Sequence, residues 1–236
     1  MTGARDESDR DHRGGRSRLR ARRTARRDGA ASRRLVPREP RHVSAGVLVL
    51  HAWWGLNDDV RAYAERLRRE GYVTETPDLY RGHVATTIAD AEKLAKGLDG
   101  ARATADVDGA LTKLTGRADR VAVLGWSLGA SYGWELAQAR KAAVRGLVLY
   151  YPGMDDIYAD TNPPTLVHFA DHDEFESLAD VRRAELVANG GPTAQFYLYA
   201  NTKHWFDEPS RPEYDKAASE LAWQRTTAFL DTHLRR

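Results

Sequence analysis

The chain has 236 residues, 42% of them hydrophobic, a formal net charge of +2 and no cysteine. That length can bury the core of one α/β domain. The missing thiols exclude disulfides, thiolate metal sites and cysteine nucleophiles, and no run of about 18 apolar residues exists to make a membrane-spanning helix.

The charge is unevenly placed. Residues 1–42 hold 14 Arg against six acidic residues, a net +8, which leaves −6 on the remainder. This first segment is nearly devoid of apolar residues and of periodicity, so it cannot offset the entropy of ordering and is expected to be disordered. An RNA-binding arm would carry aromatics to stack on bases, and there are none. A transit peptide would not intersperse Asp6, Glu7, Asp9 and Asp11, and an export signal would follow its Arg pairs with an apolar stretch before Val43. The expectation is a dispensable tail, or an extension from an over-early start, on a cytoplasmic protein. Nonspecific attraction to phosphate is what remains of the nucleic-acid reading.

From Ser44 onward strand-like and helix-like blocks alternate. "SAGVLVLH" (44–51) reads as a strand buried on both faces. A helix follows, with Asp58 as its cap, Val60, Tyr63, Ala64 and Leu67 on one face and Gly71 as its stop. "YVTETPDLY" is a strand leaving into a loop at Pro77, and helical patterns cover 88–98 and 103–115. "RVAVLG" (120–125) is a strand, "SYGWELAQARK" a helix, and "VRGLVLYY" a strand closed by Pro152-Gly153. "PTLVHFA" (164–170), "LADVRRAELVANGG" and "TAQFYLY" read as strand, glycine-stopped helix and strand. A last helix from about Tyr214 to Leu234 would bury Ala218, Leu221, Ala222, Ala228 and Phe229. Alternation of this kind predicts an α/β fold with a mostly parallel central sheet and helices on both faces. The ligand site is then expected beyond the C-terminal strand ends.

Ser127 stands at such an end. "Gly125-Trp126-Ser127-Leu128-Gly129" follows a buried strand and opens a helix, the context a G-x-S-x-G elbow requires. Small residues two positions on either side let the strained turn close, and the helix N-terminus offers the Leu128 amide to developing negative charge. A serine hydroxyl needs a base. His204, in the loop after the last strand, stands where this architecture places one; His51, His168 and His172 lie at or within earlier strands. "LVHFADHDEF" offers Asp171 and Asp173 as the orienting acid, which position alone does not separate. A His168/Asp171/Asp173 metal site is conceivable by residue type, although His168 falls within the strand.

The segments "VLVLHAWWGLNDDVRAYAERLRREGYVTETPDLYRG", "GWSLG", "YYPG", "HFADHDEF" and "KHWF" together resemble the dienelactone hydrolase family of α/β-hydrolases, over about residues 44–234. The resemblance implies an eight-stranded-type sheet without a large lid domain. It also implies hydrolysis of carboxylic esters or lactones without a cofactor or metal. It assigns Ser127 as nucleophile, His204 as base and, by its acid pattern, Asp173 rather than Asp171. The second oxyanion donor falls on the Trp53 amide, beside that of Leu128. This chain departs from the best-known members in having Ser127 for cysteine and Ala52 for glutamate, and it lacks an arginine just beyond the base. Those departures favour a plain Ser-His-Asp mechanism and weigh against dienelactone itself as substrate.

Trp54, Tyr80, Arg81, Trp126, Tyr150 and Trp205 are candidate pocket residues, the aromatics favouring a small apolar or aromatic acyl group. The expected partner is a small-molecule ester or lactone, for a monomer or homodimer with no membrane partner. A peptide or amide hydrolase with the same triad is the runner-up, and a noncatalytic binding protein on this scaffold is the alternative of a different class.

Overall fold

The computed structural model describes residues 44–153, 163–189 and 194–236. The expectation of a disordered arm over 1–42 and that of a glycine stop at Gly190-Gly191 fall outside them. The described elements are β1 (Ala45–Leu50), α1 (Asp58–Arg69), β2 (Val73–Glu75), α2 (Ile88–Lys96), α3 (Gly100–Thr115), β3 (Arg120–Trp126), α4 (Leu128–Ala139), β4 (Val144–Tyr150), β5 (Thr165–Ala170), α5 (Leu178–Asn189), β6 (Ala194–Tyr199) and α6 (Lys216–Leu234).

The strands form one sheet in the order β2-β1-β3-β4-β5-β6, with every neighbouring pair parallel. Among the described residues, six strands stand where the resemblance implies an eight-stranded type. β1 and β5 are buried at every position, as strands covered on both faces by helices are. The chain builds outward from β1 to β2 and then crosses back to β3, so the order reverses between β1 and β3. A crevice opens at such a switch point beyond the carboxyl ends of the strands. Trp53 follows β1 there and Ser127 follows β3.

One helical layer pairs α1 with α6. Arg66 forks onto Glu220 at 3.0 and 2.8 Å and lies 3.9 Å over the Trp223 ring, while the Tyr72 hydroxyl donates to Asp231 at 2.7 Å. Arg66 and Glu220 are too exposed for their ion pair to contribute more than about 1 kcal/mol. Burial of Trp223, Phe229 and Leu230 stabilises the layer more, by roughly 1.5–3 kcal/mol for each fully buried side chain. The other layer packs α3 against α4. Among the described residues no helix is long and apolar enough to cross a membrane.

Local chemistry moves several boundaries. Asn57, not Asp58, caps α1: its side-chain oxygen accepts the Val60 amide at 3.1 Å, leaving Asp58 and Asp59 in the first turn, where the helix dipole favours them. α3 begins three residues before its apolar pattern because Asp99 accepts the Arg102 amide. α6 starts at Lys216, capped by Asp215. Its buried face also differs from expectation, since Leu221 and Ala228 are exposed while Ser219, Trp223 and Thr226 are buried. The two polar side chains among these are matched to buried groups beneath them. Thr226 meets the Tyr150 hydroxyl and His168 Nε2, each at 3.0 Å, and the Ser219 hydroxyl donates to Asp207 at 2.7 Å. Hydropathy periodicity has no view of such partners.

Candidate active site

Ser127 is the single residue between β3 and α4, at φ 47° and ψ −114°. A non-glycine residue held there is strained, and the surrounding bonds hold it. Its N–H donates to the Tyr150 carbonyl at 3.0 Å, and its carbonyl accepts the Ala130 and Ser131 amides at 2.8 and 3.1 Å. The two flanking glycines are required by close approach. A Cβ on Gly125 would stand 2.4 Å from the Gly129 carbonyl oxygen. One on Gly129 would stand 2.4 Å from the oxygen of Leu50 and 2.5 Å from that of His51. The end of β1 and the start of α4 therefore touch backbone to backbone, and the loop carrying Trp53 is drawn beside Ser127.

His204 enters from the turns after β6. Its Nε2 is 3.3 Å from Ser127 Oγ and its Nδ1 is 2.7 Å from Asp173 Oδ2. An ionised carboxylate only accepts, so Nδ1 carries the proton and Nε2 is left to accept from the serine hydroxyl. The Asp173 side chain is 1% exposed and that of His204 7%. The second Asp173 oxygen accepts the amides of Phe175 and Glu176 at 2.9 and 3.2 Å. Asp171 has a different role: it accepts the Thr202 amide at 3.2 Å and pairs with His172 at 3.0 Å, tying the loop after β5 to the one after β6.

Around this line lies a pocket of about 160 Å³, walled by Trp53, Leu128, Tyr151, Phe175, Glu176 and Trp205. Trp53 stacks on Trp205 at 5.9 Å, and Phe175 lies 5.2 Å from Trp205 and 4.8 Å from His204. Among the described residues no Lys or Arg lines it.

The remaining expected pocket residues lie elsewhere. Trp54 is buried under the Arg211 guanidinium, 3.6 Å away, beside a separate cavity. Tyr80 packs on His51, and exposed Arg81 bonds Asp106 at 3.1 Å. Trp126 and Tyr150 are register partners stacked 5.5 Å apart within the sheet's helix-covered interior. The Trp126 indole donates to Asp207 at 2.9 Å, and the Tyr150 hydroxyl meets Tyr63 at 2.9 Å. The last residue of each of these strands still faces the core; the next one, Ser127 or Tyr151, turns up into the site. That rule, applied to "YYPG", selects Tyr151 in place of Tyr150. Ser131, Phe175 and Glu176 also line the pocket, beyond the residues expected there, although Phe175 and Glu176 sit two and three residues past Asp173.

The other buried histidines are structural. His51 donates from Nδ1 to the Ala52 carbonyl at 2.6 Å and accepts the Leu79 amide on Nε2 at 3.1 Å. His168 spends both ring nitrogens on Tyr199 and Thr226 inside the core, and among the described residues it does not join Asp171 and Asp173 in a group that could hold a metal. Burial pushes its pKa down to about 3.

Two buried carboxyls lie just beyond His204. Burial raises Asp207 to about 7 against the hydrogen bonds from Ser219 and Trp126, and Glu208 to about 8 against that from Tyr151. The native state therefore holds protons that the unfolded chain releases at about pH 4. Their contribution to stability is lost as pH rises through the native values. His51 and His168, lowered by burial, act in the opposite sense only below about 6.5. The melting temperature is accordingly expected to fall between pH 6.5 and 8, and Asp207→Asn to flatten that slope. A profile flat in the wild type would contradict the assignment.

Residues 34–234 match the profile of the dienelactone hydrolase family. A Bradyrhizobium protein named "Probable 2-oxo-3-(5-oxofuran-2-ylidene)propanoate lactonase" is 28% identical over 80% of this chain and 84% of its own length. Protein usf of Aquifex pyrophilus is 27% identical over 83% of this chain and 91% of its own. Among solved structures, a metagenomic dienelactone hydrolase-like promiscuous phosphotriesterase superposes with a TM-score of 0.66 at 20% identity, covering 82% of this chain and 88% of that one. At that identity the likeness concerns the fold.

Proposed function

The chain belongs to the dienelactone hydrolase family of α/β-hydrolases, and on that premise we propose that it hydrolyses small uncharged carboxylic esters or lactones through an acyl-enzyme on Ser127. The observation that carries this reading is the unbroken hydrogen-bonded line Asp173–His204–Ser127 at a small aromatic pocket.

In the proposed mechanism Ser127 Oγ attacks the carbonyl while His204 Nε2 takes its proton and passes it to the departing alcohol oxygen. Asp173, held by two backbone amides, keeps Nδ1 protonated and stabilises the imidazolium. The amides of Trp53 and Leu128, at the meeting of β1 and the α4 N-terminus, receive the oxyanion. Water then attacks the acyl group with His204 again as base, and the carboxylate leaves.

The substrate class follows from the walls. A volume of about 160 Å³ suits a short acyl group. Aromatic surface rewards apolar or ring-bearing groups. With no arginine or lysine on the lining among the described residues, a carboxylate-bearing substrate would find no cation there to offset its desolvation. The lactonase name of the Bradyrhizobium relative supports keeping lactones in the class.

The test is labelling by a fluorophosphonate, mapped by mass spectrometry, in the wild type and His204→Ala. The expected result is label on Ser127 in the wild type only, and faster turnover of neutral than of carboxylate-bearing esters of equal size. A folded wild type that takes no label would overturn the reading.

A further inference from the structure

Tyr151 takes no part in the hydrogen-bonded line, yet it touches the histidine at the centre of it. It follows β4 as Ser127 follows β3, and it too sits in the left-handed region, at φ 36°. A bulky aromatic adopts that conformation only when its surroundings compel it. Here its N–H donates to the His168 carbonyl at 2.7 Å, its ring lies 4.6 Å from the His204 ring, and its hydroxyl donates to Glu208 Oε1 at 2.8 Å. Glu208 is four residues past His204, at the far end of a run of tight turns with Trp205 at φ 66°. Within that run the Phe206 amide donates to Lys203 and the Glu208 amide to Trp205. One side chain thus holds both ends of the loop that presents the base.

Glu208 is an expensive residue to place there. Its carboxyl is buried, and among the described residues it takes one side-chain hydrogen bond, from Tyr151, with Oε2 unpartnered. Apolar side chains of the same size would pack with less desolvation. A dry hydrogen bond, in contrast, fixes direction as well as distance, because no water competes for either partner. The cost is intelligible if the bond sets the register of the loop.

We propose that Tyr151 and Glu208 act as a positioning pair that sets the His204 imidazole against Ser127: the ring backs the imidazole, and the hydroxyl–carboxyl bond fixes the loop at the ring's distance. This rests on His204 being the base for Ser127. Neither residue transfers a proton to substrate.

The test compares Tyr151→Phe, Glu208→Ala, Glu208→Gln and the double variant Tyr151→Phe/Glu208→Leu with the wild type. Three quantities are read: kcat and KM on a small neutral ester, the His204 ring-proton NMR resonance with its titration, and melting temperature. Tyr151→Phe and Glu208→Ala are expected to lower kcat about tenfold with KM within about twofold, and to shift the His204 resonance. Glu208→Gln, which still accepts from the hydroxyl, should restore both. The double variant removes both polar partners, so its stability should stay near wild type while kcat remains low. Wild-type kcat and an unmoved resonance in the double variant would overturn the proposal and leave the pair a packing element. Should Glu208→Ala fail to fold, the single-atom change in Tyr151→Phe and the double variant decide. A wild type that turns over no ester and takes no fluorophosphonate label would refute the nucleophile, whereas the imidazole resonance would still report on the pair.

Discussion

Ser127→Ala is expected to lower turnover of a small neutral ester by roughly 10⁴-fold or more, while shifting the melting temperature by no more than a couple of degrees. The two halves of that expectation have separate causes. Alanine keeps the Cβ, so the strained turn at φ 47° is neither relieved nor worsened, and the backbone bonds to Tyr150, Ala130 and Ser131 are untouched. Only the hydroxyl goes, with its 3.3 Å contact to His204. On the proposed mechanism no acyl-enzyme can then form, and what catalysis survives would come from the oxyanion donors acting on attack by water. Asp173→Asn should follow in the same direction: an amide donating toward Nδ1 would favour the tautomer with its proton on Nε2, where it cannot accept from serine, a loss of about 10⁴ in comparable triads. Steady-state kinetics on the purified variants, with melting curves beside them, measure both. A Ser127→Ala enzyme within tenfold of wild type would remove Ser127 from the reaction.

Gly129→Ala should do comparable damage by a different route. The added methyl would sit 2.4 and 2.5 Å from two main-chain oxygens at the end of β1, and neither can rotate away. Either α4 or the β1 loop must move, at a cost of about 3 kcal/mol, the upper end of overpacking. That same contact fixes the end of β1 against the start of α4, the two segments that carry the proposed oxyanion donors, so even a shift of about 1 Å is expected to reduce kcat/KM by roughly 10²-fold. Gly109→Ala supplies the control. It lies inside α3, where a Cβ meets nothing within 4 Å, and alanine there should stabilise by about 0.5–1 kcal/mol through helix propensity. The same chemical change is thus expected to carry opposite signs at the two sites. Urea unfolding of both variants checks it; equal effects would show that helix propensity, not the β1–α4 contact, governs Gly129.

The amino-acid sequence by itself determined the alternation of strands and helices, the class of sheet, and the placing of Ser127 and His204 at strand ends. Those features are local: apolar runs of strand length and glycines two residues either side of a serine act within a few residues of chain. What only the tertiary structure decided depends on partners far apart in sequence. Asp171 and Asp173 are alike in composition and two residues apart, yet one meets Thr202 and the other His204, because the side-chain direction after β5 is set by the loop after β6. The buried face of α6 follows Asp207, Tyr150 and His168 beneath it rather than hydropathy. Trp126 and Tyr150 turn into the core while Tyr151, one residue on, reaches the site, since a strand's side chains alternate and the sheet's covering decides which side is dry. The sequence marks where the strands end; only the packing of two helical layers on the sheet decides which side chains at those ends face the pocket.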